Sequence, residues 1–229
     1  MQTAYNYQTT INPSAPPTYK FAAYSMDTLW SIGTANNLLM DLSTSYQSAW
    51  STAKANFGVM EMWANNVTCG NAACTTGGNQ GDTGTNFDVA MTSINTTMAN
   101  PGNGSNQSGD TPQEVLFFVT DGVEDETTTT CTQPLAGGNR CQAPINPALC
   151  TTIKNRGIKI AVLYTEYLQV TSNSWYNSWI APFQPTIGAQ LQACASPGLF
   201  YDATSDTDLG KALSTLFNTF MQQNAALSN

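Results

Sequence analysis

Two periods of apolar residues alternate along the chain. Tyr46, Ala49, Ala53, Phe57 and Met60 recur at spacings of three and four, which predicts an amphipathic helix over 45–63. Phe87, Ala90, Met91, Ile94 and Met98 repeat that spacing and predict a second helix over 86–99. Other apolar residues come as short runs. Tyr19 to Met26 (YKFAAYSM) reads as a strand, and Glu114 to Thr120 (EVLFFVT) is an almost unbroken apolar run closed by Asp121-Gly122. A run of this kind fits a strand covered on both faces, as in a parallel sheet. Ile158 to Thr165 (IKIAVLYT) is a second such run, and Leu199 to Asp202 reads as a short edge strand.

Punctuation supports these boundaries. Asn146-Pro147 offers an N-cap followed by proline at the first helical position, and Gly157 supplies the stop. A short helix is expected over 186–194. Asp206 is expected to cap a last helix with Leu209, Leu213, Leu216, Phe217 and Phe220 turned inward. Residues 65–84, 100–112 and 123–145 are rich in Asn, Gly, Thr and Pro and read as loops. Another loop gathers Tyr167, Trp175, Tyr176, Trp179 and Phe183. Strands alternate with helices, so the predicted class is α/β with a largely parallel sheet. One domain is expected over 19–225, after a polar segment 1–18 ending in Ala-Pro-Pro.

Composition narrows the function classes. Of the 229 residues 41% are apolar, enough for a core, but only 10% are charged against about 25% in ordinary domains. Thr outnumbers the four charged types together, which suggests an extracytoplasmic surface. A net charge of −8 argues against nucleic acid or anionic lipid as the main partner. The absence of histidine removes Ser-His-Asp and Cys-His catalysis and zinc-histidine sites. No run of 18 apolar residues occurs, and MQTAYNYQTT lacks the basic and apolar regions of a signal peptide. An exported protein needs such a signal, so an upstream segment is expected.

The six cysteines, 69, 74, 131, 141, 150 and 194, include no Cys-x-x-Cys pair. An even number in a polar, acidic chain favours three disulfides in an oxidising compartment over a metal site. Many pairings are open. The preferred one joins Cys69 to Cys74 and Cys131 to Cys141 within loops, leaving Cys150 and Cys194 to tie two helical segments.

In open α/β sheets, ligands gather at the carboxyl ends of the strands. Asp121 is expected there, directly after the most apolar strand, and Thr85, at the start of a helix, is expected near the same edge. A hydroxyl and a carboxylate without histidine suit a hard cation such as Mg²⁺. The structural alternative is that Asp121 ends a strand and Thr85 caps a helix.

These same residues carry a family resemblance. FFVTDGVEDE resembles the strand-plus-TDG element of von Willebrand factor A (vWA) domains, and GTNFDVAM resembles their Gly-Thr-Asn helix start. TPQEVLFFVTDGVEDE, INPALCTTIKNRGIKIAVLYTEY and LQACASPGLFYDATSDTDLGKAL resemble the TadG-like proteins of bacterial Tad (Flp) pilus assembly, over Tyr19 to Asn218. The resemblance implies a vWA-like, Rossmann-like sheet with helices on both faces, a place at the cell surface, in the periplasm or outside the cell, and assembly or adhesion instead of catalysis. It also implies a cysteine pair at Cys150 and Cys194, and it matches Thr85 and Asp121 to two metal-site residues of the family.

The family's metal motif, Asp-x-Ser-x-Ser, occurs only at Asp41-Leu42-Ser43-Thr44-Ser45. It precedes an amphipathic helix, so Asp41 and Ser43 are read as helix N-terminal residues. YKFAAYSM resembles the family's second strand. The first strand is therefore expected to be missing, with an incomplete Mg²⁺ site of weak affinity. Its loss would leave unpaired backbone on both neighbours, so either the gene product is shortened or a partner donates a strand. The implied partners are pilin or pilus assembly proteins, with membrane anchoring only through an upstream segment.

Two other classes compete. A glycosidase would use carboxylates among Asp121, Glu124, Asp125 and Glu126, with Glu114 or Glu166 as the distant acid. Four acids within six residues are more often a solvated turn, and Glu114 begins the strand that Asp121 follows. An adhesin for sugar or protein would use the loop from Glu166 to Phe183, with Trp175, Tyr176 and Trp179, as its contact surface, unless these aromatics fold back over the sheet edge.

Overall fold

The computed structural model describes residues 21–25, 28–29, 37–43, 83–104, 108–127, 135–136, 140–204 and 208–225. Its strands are β1 (Phe21–Ser25), β2 (Thr28–Leu29), β3 (Asn37–Ser43), β4 (Thr83–Gly84), β5 (Val115–Thr120), β6 (Val123–Thr127), β7 (Leu135–Ala136), β8 (Arg140–Pro144), β9 (Lys159–Thr165) and β10 (Phe200–Ala203). Its helices are α1 (Phe87–Thr97), α2 (Pro147–Lys154), α3 (Ser174–Trp179), α4 (Ile187–Cys194) and α5 (Leu209–Ala225), with a 3₁₀ turn at Gln184–Thr186. The chain divides into two compact units, Met1–Ala90 with Asp125–Thr127, and Met91–Glu124 with Thr128–Asn229.

In the first unit β1 pairs antiparallel with β3, from Phe21↔Ser43 to Ser25↔Asn37, and β2 pairs antiparallel with β4. Strand β1 lies within the expected run 19–26. Strand β3 corrects the reading of Asp41 and Ser43 as helix N-terminal residues, because both stand within a strand. The physical reason is the ladder to β1, which satisfies backbone groups that a capping side chain would otherwise serve. The expected helix 45–63, most of the loop 65–84, segment 1–18, Thr44 and Ser45 lie outside the described residues.

The second unit is built on a three-stranded parallel sheet in the order β10-β9-β5. Central strand β9 has Ile160, Ala161, Val162 and Leu163 without exposed surface. Leu163 packs with Ala203 and with Ala212 and Leu216 of α5, joined by Phe117, Tyr201 and Leu213. Tyr164, the next residue and so on the opposite face, has its ring near Gly188 of α4. Helices therefore cover both faces, and each fully buried aliphatic side chain stabilises the fold by about 1.5–3 kcal/mol. The mixed α/β class with a mostly parallel sheet is as expected.

Local chemistry sets the helix ends. Asn146 Oδ1 accepts from Ala148 N at 3.0 Å, Pro147 opens α2, and Gly157 follows its end at φ +91°. Arg156 holds the last turn of α1, donating to the Asn95 carbonyl and Oδ1, the Met98 carbonyl (2.7 Å) and Asn100 Oδ1 (3.0 Å). Lys154 Nζ donates to the carbonyls of Ala193 (2.8 Å) and Ala195 (3.3 Å) at the end of α4, where a cation complements the helix dipole. Cys150 of α2 and Cys194 of α4 form a fully buried disulfide with Cα atoms 5.1 Å apart. Cys141 is also disulfide-bonded, its partner lying outside the described residues, as do Cys69, Cys74 and Cys131.

Three further expectations are corrected. The stretch 123–145 is not one long loop, since it contains β6, β7 and β8, with β7 and β8 pairing antiparallel through Leu135↔Cys141 and Ala136↔Arg140. Pairing orders a polar sequence there because a ladder needs backbone groups, not apolar side chains. The aromatic loop contains α3, capped by Asn173 Oδ1, which accepts from Tyr176 N at 3.0 Å. The last helix is capped by Asp208, whose Oδ1 accepts from Lys211 N at 3.1 Å, and Leu209 at its first position is 46% exposed instead of turned inward. Asp206 lies outside the described residues.

Candidate functional site

Thr120, Asp121 and Gly122 build a tight turn at the carboxyl end of β5. Thr120 Oγ1 accepts from Gly122 N at 3.0 Å and Asp121 Oδ1 accepts from Val123 N at 3.2 Å. Both are local side-chain-to-backbone bonds of the kind that fix turns. Gly122 adopts φ +79°, and a Cβ there would collide with Ile187 Cγ2 and stand 2.8 Å from Leu191 Cδ1. Helix α4 thus lies directly against the turn, and only glycine fits. Asp121 itself is solvent-exposed.

The sheet register brings two more acids to this edge. Thr120 is level with Tyr164, and Tyr164 is level with Asp202, while Glu166 follows the last residue of β9. The Tyr164 phenol registers their field. Burial raises its pKa most, the Tyr167 amide that donates to its oxygen lowers it, and the charges of Asp202, Glu166 and Asp121 raise it further. The carboxyl edge of the sheet is therefore a negative rim at its β5, β9 and β10 positions. Among the described residues no three His, Cys, Asp or Glu side chains are grouped so as to hold a metal ion.

Thr85 belongs to the first unit and Asp121 to the second. The Thr85 carbonyl accepts from Asp125 N at 2.9 Å, and the cap of α1 is Asn86, whose Oδ1 accepts from Val89 N at 2.8 Å. Glu124 is buried and Asp125 half-buried, so neither matches a solvated acidic turn. Glu114 sits at the opposite end of β5 from Asp121. Burial raises its pKa, and nearby Arg156 opposes that rise.

The three aromatic candidates separate. Trp175 is 36% exposed and Trp179 half-buried, but Tyr176 is buried and stacks on Tyr167 with ring centroids 6.3 Å apart. Leu168 (63%) and Val170 (46%) of the same loop are also exposed. Leu168 and Val170 lie within the loop 166–183 expected as a contact surface, whereas sequence reasoning missed Asp202 and Tyr164. The signal for Asp202 was its place at the end of a strand parallel to β9.

No family model, curated protein or solved structure matches this chain. Among the described residues no helix is long and apolar enough to cross a membrane.

Proposed function

We propose that the chain is a non-enzymatic binding and assembly module of vWA type, related to the TadG-like proteins of bacterial Tad pilus assembly and working outside the cytoplasm. One observation carries the reading: a turn bearing Asp121 follows the most apolar strand of a parallel sheet with helices on both faces. That is the setting in which a vWA domain places its TDG element. The disulfide between Cys150 and Cys194 agrees with the cysteine pair that the resemblance implies, and with an oxidising compartment. Mg²⁺ binding is proposed to be weak or absent, because Thr85 and Asp121 lack the family's Asp-x-Ser-x-Ser partners in a matching setting.

The test co-expresses the exported full chain with the components of a Tad pilus system. The expected result is co-purification with a pilin or assembly protein and no turnover of chromogenic glycosides. Glycoside turnover that Asp121→Asn abolishes would replace the reading with a carboxylate enzyme. Micromolar Mg²⁺ binding lost in Asp41→Ala would overturn the incomplete metal site. A second reading, an adhesin contacting sugar or protein, is favoured by the exposed surface of Leu168, Val170 and Trp175. It predicts that Leu168→Ser weakens attachment without lowering the melting temperature.

A further inference from the structure

Strand β5 is the most apolar strand of its sheet, yet among the described strands it has a neighbour on one edge only, β9. Strand β9, paired on both edges, buries five residues in succession. In β5, by contrast, Val115, Leu116 and Phe117 are half-buried and Val119 is 42% exposed. The hydrogen bonds fix which groups face outward. Lys159 N donates to the Glu114 carbonyl at 3.1 Å, so Glu114 faces β9. Alternation then directs Leu116, Phe118 and Thr120 to β9, and the N–H and C=O groups of Val115, Phe117 and Val119 to the other edge.

Exposed edges in natural sheets are blunted by charge, proline or a bulge. Val-Leu-Phe-Phe-Val-Thr has no charge or proline, and its register to β9 runs unbroken from Val115↔Lys159 to Thr120↔Tyr164. An open backbone edge selects an extended peptide, because only a strand supplies alternating donors and acceptors at ladder spacing. Charge narrows the occupant further. Asp121, Glu166 and Asp202 lie at the carboxyl end of the sheet and Glu114 at the other end of β5. A second copy would bring its own Glu114 and Asp121 to these positions, on a chain of net charge −8.

We propose that the outer edge of β5 accepts an extended apolar segment of a separate polypeptide as a fourth strand, with a Lys or Arg of that segment at the acidic carboxyl end of the sheet. This deepens the assembly reading by giving the partner's chemistry, and it rests on that reading only for the partner being another protein.

The probe is a fluorescently labelled synthetic peptide, Lys-Thr-Val-Ile-Val-Val-Thr-Lys, titrated into the full chain and followed by anisotropy. Saturable binding that weakens in high salt is expected. It should fall at least about tenfold with Val119→Pro, which removes one outward N–H while leaving the ladder to β9 intact. The same loss is expected when alternate peptide amides are N-methylated, a control that needs no folded variant. Absence of saturable binding, or binding indifferent to N-methylation, overturns the proposal. So does self-association of the wild-type chain that Val119→Pro abolishes, since the edge would then serve a second copy. Co-purification with pilus components alongside failed peptide binding removes the edge but keeps the assembly reading.

Discussion

Replacing Gly122 by alanine tests whether the β5 turn is locked beneath α4. Two costs combine. A residue with a Cβ held at φ +79° loses about 1–2 kcal/mol relative to glycine. The new methyl group would also overlap Ile187 Cγ2 and press on Leu191 Cδ1, both on fully buried side chains, and overpacking of this kind costs about 1–3 kcal/mol. Alanine restricts the unfolded chain and returns about 0.4–1 kcal/mol. The net expectation is a loss of about 1–4.5 kcal/mol, read from urea unfolding of the full chain with the slope unchanged. Ile187→Ala alone should cost about 2–5 kcal/mol by opening a cavity. Combined with Gly122→Ala, it removes the atom that the new methyl group meets. The double variant should therefore lose at least about 1 kcal/mol less than the sum of the single losses. A Gly122→Ala cost below about 0.5 kcal/mol, or strict additivity with Ile187→Ala, would refute the close approach of α4 to the turn.

Replacing both Cys150 and Cys194 by alanine should cost about 4 kcal/mol by the chain-entropy relation for a separation of 44 residues, and mass spectrometry of the unreduced protein should find the two joined. Arg156→Ala should destabilise the fold by about 2–3 kcal/mol, since the end of α1 loses charge-assisted bonds; Arg156→Lys should rescue little, because an ammonium lacks the planar fork that spans these acceptors. Glu114→Gln should raise stability at neutral pH and flatten its pH dependence. The folded carboxyl is held above its ordinary pKa by burial, so its contribution is full below the ordinary carboxylate range and is lost as pH rises through the raised value. Unfolding midpoints measured from acid to neutral pH would check the sign.

The elements that could be read from sequence are those with their own signature. IKIAVLYT announces a strand buried on both faces, and Asn146-Pro147 announces the start of α2 by a capping side chain and a fixed φ. The segment Val-Glu-Asp-Glu-Thr of β6 carries no such mark, because its order comes from backbone pairing and not from an apolar face. Asp41 and Ser43 were legible as capping types but not as strand residues, since a ladder to Phe21–Ser25 is a long-range fact. Asp208 and Asp206 are equally good caps by type, and only the position of the first helical turn selects Asp208. At the candidate site Asp121 was visible from its strand. Asp202 and Glu166 joined it only through the register of three parallel strands, which no local pattern encodes.

Residue-resolved hydrogen exchange along β5 in the free chain tests the open-edged sheet most directly. An alternation is expected, with the amides of Leu116, Phe118 and Thr120 slow against β9 and those of Val115, Phe117 and Val119 fast at the outer edge. Equal protection of all six amides would mean that another strand already closes that edge, and the proposed docking of a partner there would be wrong.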